Sequence, residues 1–305
     1  MHARYFTALL AAFLVVVTSA TPVRADIAPW PVPAGSGPEV KRKGKPGPVT
    51  DVQMAREHVS VALHSTPLGA FSVVDATFWL RRVKAGDVTL QLAFPGQGIE
   101  VGGGRVHAQL HGFQAFVGGL PVAVDEAAVT HENQAGPPGR TYKRTRSEQW
   151  HRFAVTVPAM KKGAADVVVR VRYAVAADSY GTVEGVAPHA LAGYILHTGA
   201  LWAGVIDEAV IDVVGVGVDI AAVSAKNQRQ SASSFVSLTP GKVPPPVRPV
   251  GAVVDATGLH WTLKALKPSA DDDLDFIFPA VAAGFADDRL VPVMVAAARA
   301  PAPHR

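Results

Sequence analysis

Val167-Val168-Val169-Arg170-Val171-Arg172-Tyr173 sets the reading of this chain. Val167, Val169, Val171 and Tyr173 fall on one face, while Arg170 and Arg172 fall on the other. A period of two belongs to an extended strand, because successive side chains leave the backbone on opposite sides. The same period recurs outward from this segment. Val59, Val61 and Leu63 alternate, as do Ala76, Phe78 and Leu80. Val88, Leu90, Leu92 and Phe94 follow the same rule, and Pro95 is expected to close that strand. Phe153, Val155 and Val157 continue it.

Turn chemistry separates these runs. Gly118-Gly119 joins Phe113–Val117 to Leu120–Val124, and two glycines suit a tight hairpin turn with positive φ. A second hairpin is predicted from Val250–Val254 through Asp255–Gly258 into Leu259–Leu263. Tyr194–Trp202, Val205–Val213 and Leu274–Phe278 add further strands. The polar stretch 125–149 contains Gly136-Pro137-Pro138-Gly139 and reads as a long loop. Helix is expected only near 220–232, where Ala221, Ala222, Ala225, Lys226, Gln228 and Arg229 are good formers. The fold class predicted is all-β: an antiparallel β-sandwich, as one unit or two packed β units divided at 125–149, with little helix.

The 305 residues include 29 Lys+Arg and 25 Asp+Glu, for a formal charge of +4, and no cysteine. That charge is local. Residues 1–50 carry Arg4, Arg24, Lys41, Arg42, Lys43 and Lys45 against Asp26 and Glu39, and so account for all of it. Residues 51–305 balance at 23 basic and 23 acidic side chains. A neutral body exerts no long-range attraction on nucleic acid. The basic group 140–152, beside Tyr142 and Trp150, is read as a solvated loop. The lack of cysteine removes disulfide scaffolds, Cys-ligated zinc and thiol catalysis.

Residues 1–25 have the form of a secretory signal peptide: a short basic start, an apolar run from Phe6 to Val17, and Val23-Arg24-Ala25 before the expected cut. The apolar run is too short for a membrane span of about 20 residues. Residues 26–50 read as a Pro- and Lys-rich linker, 51–285 as the β-sandwich region and 286–305 as a C-terminal tail. A periplasmic or extracellular location is expected, with no membrane-spanning segment after cleavage.

Four segments carry a resemblance: Val52–Val59, Leu92-Ala93-Phe94-Pro95, the box Tyr194–Gly204, and Trp261 through Lys267-Pro268 to Asp271–Asp273. In this order, over about 51–278, the chain resembles a family of exported bacterial β-rich proteins of unknown function. The resemblance implies export and β-structure. It implies no activity and no catalytic residues.

Site candidates are few. Tyr194, His197, Thr198 and Trp202 could line a carbohydrate or peptide groove, since aromatic faces stack on such ligands. The favoured reading of the same box is structural: Thr198-Gly199 as a bend and Trp202 packed between sheets. Asp271, Asp273 and Asp275 imitate the start of a calcium loop, but Phe276 stands where its glycine belongs and Ala282 where its glutamate belongs. His107 and His111, four apart in a strand, would lie about 13 Å from each other, too far to share one zinc. No Gly-x-Ser-x-Gly elbow and no phosphate loop occurs. The expectation is therefore no catalytic residue, no metal and no cofactor. The predicted protein is an exported binding or envelope structural module whose partner is an envelope component or protein and not nucleic acid. The alternative is a secreted hydrolase of an envelope polymer, its site assembled from distant residues.

Overall fold

A computed structural model describes residues 28–30, 41–42, 45–46, 51–100, 105–107, 109–135, 142–161, 164–180, 189–226, 235–237, 249, 251–269, 272–281 and 288–300. In chain order the strands are β1 (Ala28–Trp30), β2 (Lys41–Arg42), β3 (Lys45–Pro46), β4 (Val52–Thr66), β5 (Gly69–Arg82), β6 (Val88–Glu100) and β7 (Arg105–His107). Next come β8 (Leu110–Val117), β9 (Leu120–Pro121), β10 (Asp125–Ala135), β11 (Tyr142–Val157), β12 (Val167–Ala176), β13 (Asp178–Tyr180) and β14 (His189–Tyr194). The last are β15 (Ile206–Val216), β16 (Ser224–Lys226), β17 (Phe235–Ser237), β18 (Val253–Val254), β19 (Leu259–Leu266) and β20 (Leu274–Pro279), followed by helix α1 (Leu290–Arg299).

The molecule is all-β in its architecture, as the two-residue period requires. An eight-stranded sheet runs β18-β19-β15-β4-β5-β12-β8-β9. One five-stranded sheet contains β1-β6-β11-β10, with β7 on β6, and another runs β13-β14-β20-β16-β17. The two smaller sheets pack on the inner face of the large one, which makes the sandwich. Phe94 of β6 is a hub of that contact: its ring lies 6.4 Å from Phe78, 5.3 Å from Phe113 and 6.2 Å from Tyr173, all in the large sheet. On the other side Trp261 of β19 meets Phe276 of β20 at 6.4 Å. Val59, Val61, Leu63, Val169, Val171 and Tyr173 all point into this core.

Several local expectations are revised. β15 runs parallel to β4, so the large sheet is mixed; the chain's excursion through the other sheets supplies the crossover that a parallel pair needs. The 125–149 segment is not a loop. β10 and β11 pair antiparallel from Asp125↔Arg152 to Ala135↔Tyr142, and residues 136–141 lie outside the described set. Its polar composition misled because backbone pairing, not side-chain burial, defines an edge hairpin. Pro95 does not end β6; it faces Trp150 where β11 carries a register shift, a position that tolerates proline. Tyr194–Trp202 is strand only to Tyr194, then a 3-10 turn over His197–Leu201. The helix expected near 220–232 is a 3-10 turn at Ile220–Ala222 followed by β16, with residues 227–232 outside the described set. Inside the linker stretch, Ala28–Trp30 pairs with Ala93–Gln91.

Helix occurs instead inside the 286–305 stretch. Pro292 sits in the first turn of α1, where its missing N–H would have had no helical partner. Leu290, Met294 and Ala298 of α1 pack on Ala62, Phe71, Val73 and Ala174. These four residues lie on the outer face of the large sheet, so α1 covers part of it and forms a small second core.

The sequence break that organises this outer face is at Ala55. β4 shows a register shift against β5 between Met54 and Arg56. Met54 and Ala55 are both buried, after which Glu57, Val59, Val61 and Leu63 point inward. The extra residue of a bulge reverses which side chains face out. Arg56 and His58 therefore stand on the outer face and Glu57 lies in the core.

Candidate functional site

Tyr194 and Trp202, weighed as groove candidates, are core residues. Tyr194 is fully buried and its Oη donates to Glu57 Oε1 at 3.0 Å. Trp202 is 2% exposed, and among the described residues its indole N–H has no acceptor. Thr198 is half-buried in the 3-10 turn; the side chain of His197 lies outside the described set. Asp273 is buried and accepts from the Leu196 backbone N–H at 2.8 Å, which ties the 3-10 turn to the entry of β20. Asp275 is also buried, and Asp271 lies outside the described set. Among the described residues no group of three or more His, Asp or Glu side chains is placed to hold a metal ion. His111 is the second residue of β8; the side chain of His107 is outside the described set.

Polar chemistry gathers instead on the outer face of the large sheet, beyond α1. Cross-strand register sets two lateral rows. The first is His260↔Asp212↔Ser60↔Asp75↔Arg172, drawn from β19, β15, β4, β5 and β12. The second is His58↔Thr77↔Arg170 on the three central strands. Neighbouring strands stand about 4.8 Å apart, so these side chains form a continuous lattice.

Two carboxylates, the buried Asp212 and the half-buried Asp75, hold the lattice. Asp212 takes His58 Nε2 at 3.1 Å on one oxygen and His260 Nδ1 at 2.8 Å on the other. His260 Nε2 in turn lies 3.2 Å from Asp255 Oδ1. Hydrogen bonds from the Thr257 hydroxyl and backbone N–H, with His260 beside them, hold the Asp255 carboxyl well below the usual carboxylate range. Asp75 accepts from Arg170 Nε at 2.7 Å and Nη2 at 2.5 Å, and Arg172 Nε lies 3.1 Å from the same carboxylate. Arg172 is buried, and its Nη1 donates to the Ala300 carbonyl at the end of α1, where the helix dipole favours a cation.

One more cation completes the face. Arg56 Cζ stands 4.7 Å from the Trp79 ring centroid, a cation–π contact. Its cross-strand neighbour Glu208 is taken up by Lys264 Nζ. Sequence reasoning found the alternation that sets Arg170 and Arg172 on the outer face but missed Arg56 and His58, because the bulge at Ala55 leaves no composition signal.

No family model matches the chain, and no curated protein matches it. Among solved structures it is similar to a candidate nutrient-binding protein of Legionella pneumophila, at 18% identity and a TM-score of 0.47, over 75% of this chain and 68% of that one. It is also similar to yeast LTA4 hydrolase, with bestatin at 8% identity and a TM-score of 0.30, and in its native form at 9% and 0.31. The chain spans 29% and 30% of the length of those two hydrolase chains.

Proposed function

We propose that the chain is an exported binding module of the cell envelope that presents the outer face of its large sheet to a polar partner. The observation that carries this reading is the lattice itself. Asp212 is buried and Asp75 partly buried, and each braces two basic side chains, while His58 remains 49% and Arg170 43% exposed at the side chain. Bracing from beneath with donors left at the surface is the arrangement of a preorganised binding face. Export is read from residues 1–25, and a periplasmic or extracellular location follows from it. No helix among the described residues is long and apolar enough to cross a membrane.

Two measurements test this. Mass spectrometry of the protein from an envelope fraction should find an N-terminus at Asp26. Co-sedimentation with fractionated envelope polymers should show binding that Trp79→Ala weakens while the circular dichroism spectrum is retained. Recovery of the uncut chain from the cytoplasm, or binding unaffected by Trp79→Ala, would overturn the proposal.

A further inference from the structure

Arg56, His58 and Arg170 stand around Thr77 on the outer face, and we propose that they form a site for a phosphate-class oxyanion. The inference rests on the outer face being the binding surface and names the chemistry it takes. Arg56 and His58 alternate along β4 and so stand about 7 Å apart; His58 and Arg170 flank Thr77 from the two neighbouring strands, about 10 Å apart across it. Arginine side chains span such gaps easily, so one small tetrahedral anion can meet all three.

Each group keeps a polar atom in hand. Arg170 spends Nε and Nη2 on Asp75, and among the described residues Nη1 is uncommitted. His58 gives Nε2–H to Asp212, which leaves Nδ1 as an acceptor for the P–OH of a hydrogen phosphate. Arg56 is held over Trp79 by a cation–π contact, which uses none of the hydrogen-bond donors of its guanidinium fork. Thr77 adds a hydroxyl at the centre.

The local charge agrees. Asp75 is shared by Arg170 and Arg172, so that cluster carries one uncompensated positive charge. Glu208, the carboxylate beside Arg56, is neutralised by Lys264. Asp212 accepts from His58 and His260, whose rings cancel its charge only when protonated, so the positive potential of the site comes from Arg56 and Arg170. A planar carboxylate ligand would satisfy Arg56 alone; a hydrogen phosphate or a phosphomonoester monoanion has oxygens for both arginines and the Thr77 hydroxyl, and a P–OH for His58 Nδ1.

Isothermal titration of the full chain with inorganic phosphate, and separately with a sugar phosphomonoester, tests the site. Binding at or below about 1 mM is expected for at least one of them. Arg56→Ala and His58→Ala should each weaken it about tenfold or more, and Arg56→Lys should not restore it. Lys84→Ala, an exposed cation paired with Asp51 at 2.9 Å, should leave it unchanged. Tighter binding of the phosphomonoester would mark the ester as the ligand; equal affinities would mark the free anion. No heat with either probe, or equal loss in Lys84→Ala, would overturn the inference. Should polymer binding that depends on Trp79 persist in that event, the binding-module reading stands and only the oxyanion site fails.

Discussion

The Tyr194 hydroxyl and the Glu57 carboxylate meet at 3.0 Å across the sandwich, 137 residues apart in the chain. Glu57 belongs to the large sheet and Tyr194 to the β14 sheet, so the bond fixes one layer on the other. Glu57 is only 2% exposed, and a buried carboxylate persists only when hydrogen-bonded. Tyr194→Phe keeps the ring and removes this donor. It is expected to destabilise the fold by about 1–3 kcal/mol, read as a lower urea midpoint with an unchanged slope. An unchanged midpoint would refute the structural role.

Trp202 separates core from groove. As a buried residue packed between the layers, it should cost about 3–5 kcal/mol when cut to alanine. Thermal unfolding of Trp202→Ala reads this directly. A variant that keeps the wild-type melting temperature but loses envelope binding would restore the groove reading.

Gly112 is a point of close approach between α1 and the sheet. Its φ is +64°, and a Cβ there would lie 3.1 Å from Ala298 Cβ and 3.3 Å from Val295 Cα. Gly112→Ala combines a left-handed backbone with that crowding, and a loss of about 1–2 kcal/mol is expected. Limited proteolysis should cleave near α1 faster in the variant. Equal cleavage rates would show that α1 does not depend on this approach.

Three histidines predict an acid-sensitive fold. Burial pushes His64, His111 and His151 below the ordinary imidazole value of 6.5; Glu126 opposes this at His151 without reversing it. His64 stacks on Phe71 at 4.4 Å and His151 on Phe113 at 4.7 Å. Each stays neutral in the folded chain, while the unfolded chain takes up protons near 6.5. The unfolded state therefore binds more protons below that pH, so stability is complete above 6.5 and falls as pH drops through the lower folded-state values. The melting temperature should be level from about pH 7 to 8 and decline toward about pH 5. His64→Gln should flatten the decline; an equal slope would refute the assignment.

Strands and their inner faces were legible wherever apolar and polar residues alternate. Val167–Tyr173 reads correctly because one face is core and the other is not. The 125–149 hairpin was not legible, since its polar residues carry no such contrast. The site was hidden for a related reason. Met54 and Ala55 are both apolar, so the sequence does not reveal that the period shifts by one between them.

By itself the sequence determined the all-β class, the Gly118-Gly119 and Asp255–Gly258 turns, and the concentration of excess charge in residues 1–50. These are local properties, set by side-chain period, by backbone freedom at glycine and by composition. Only the tertiary structure decided that Tyr194 and Trp202 are buried, and that His58, Asp212 and His260 meet. Strand order and register bring residues 154 and 48 positions apart into contact on one sheet, and pairing at that range depends on how the whole chain folds.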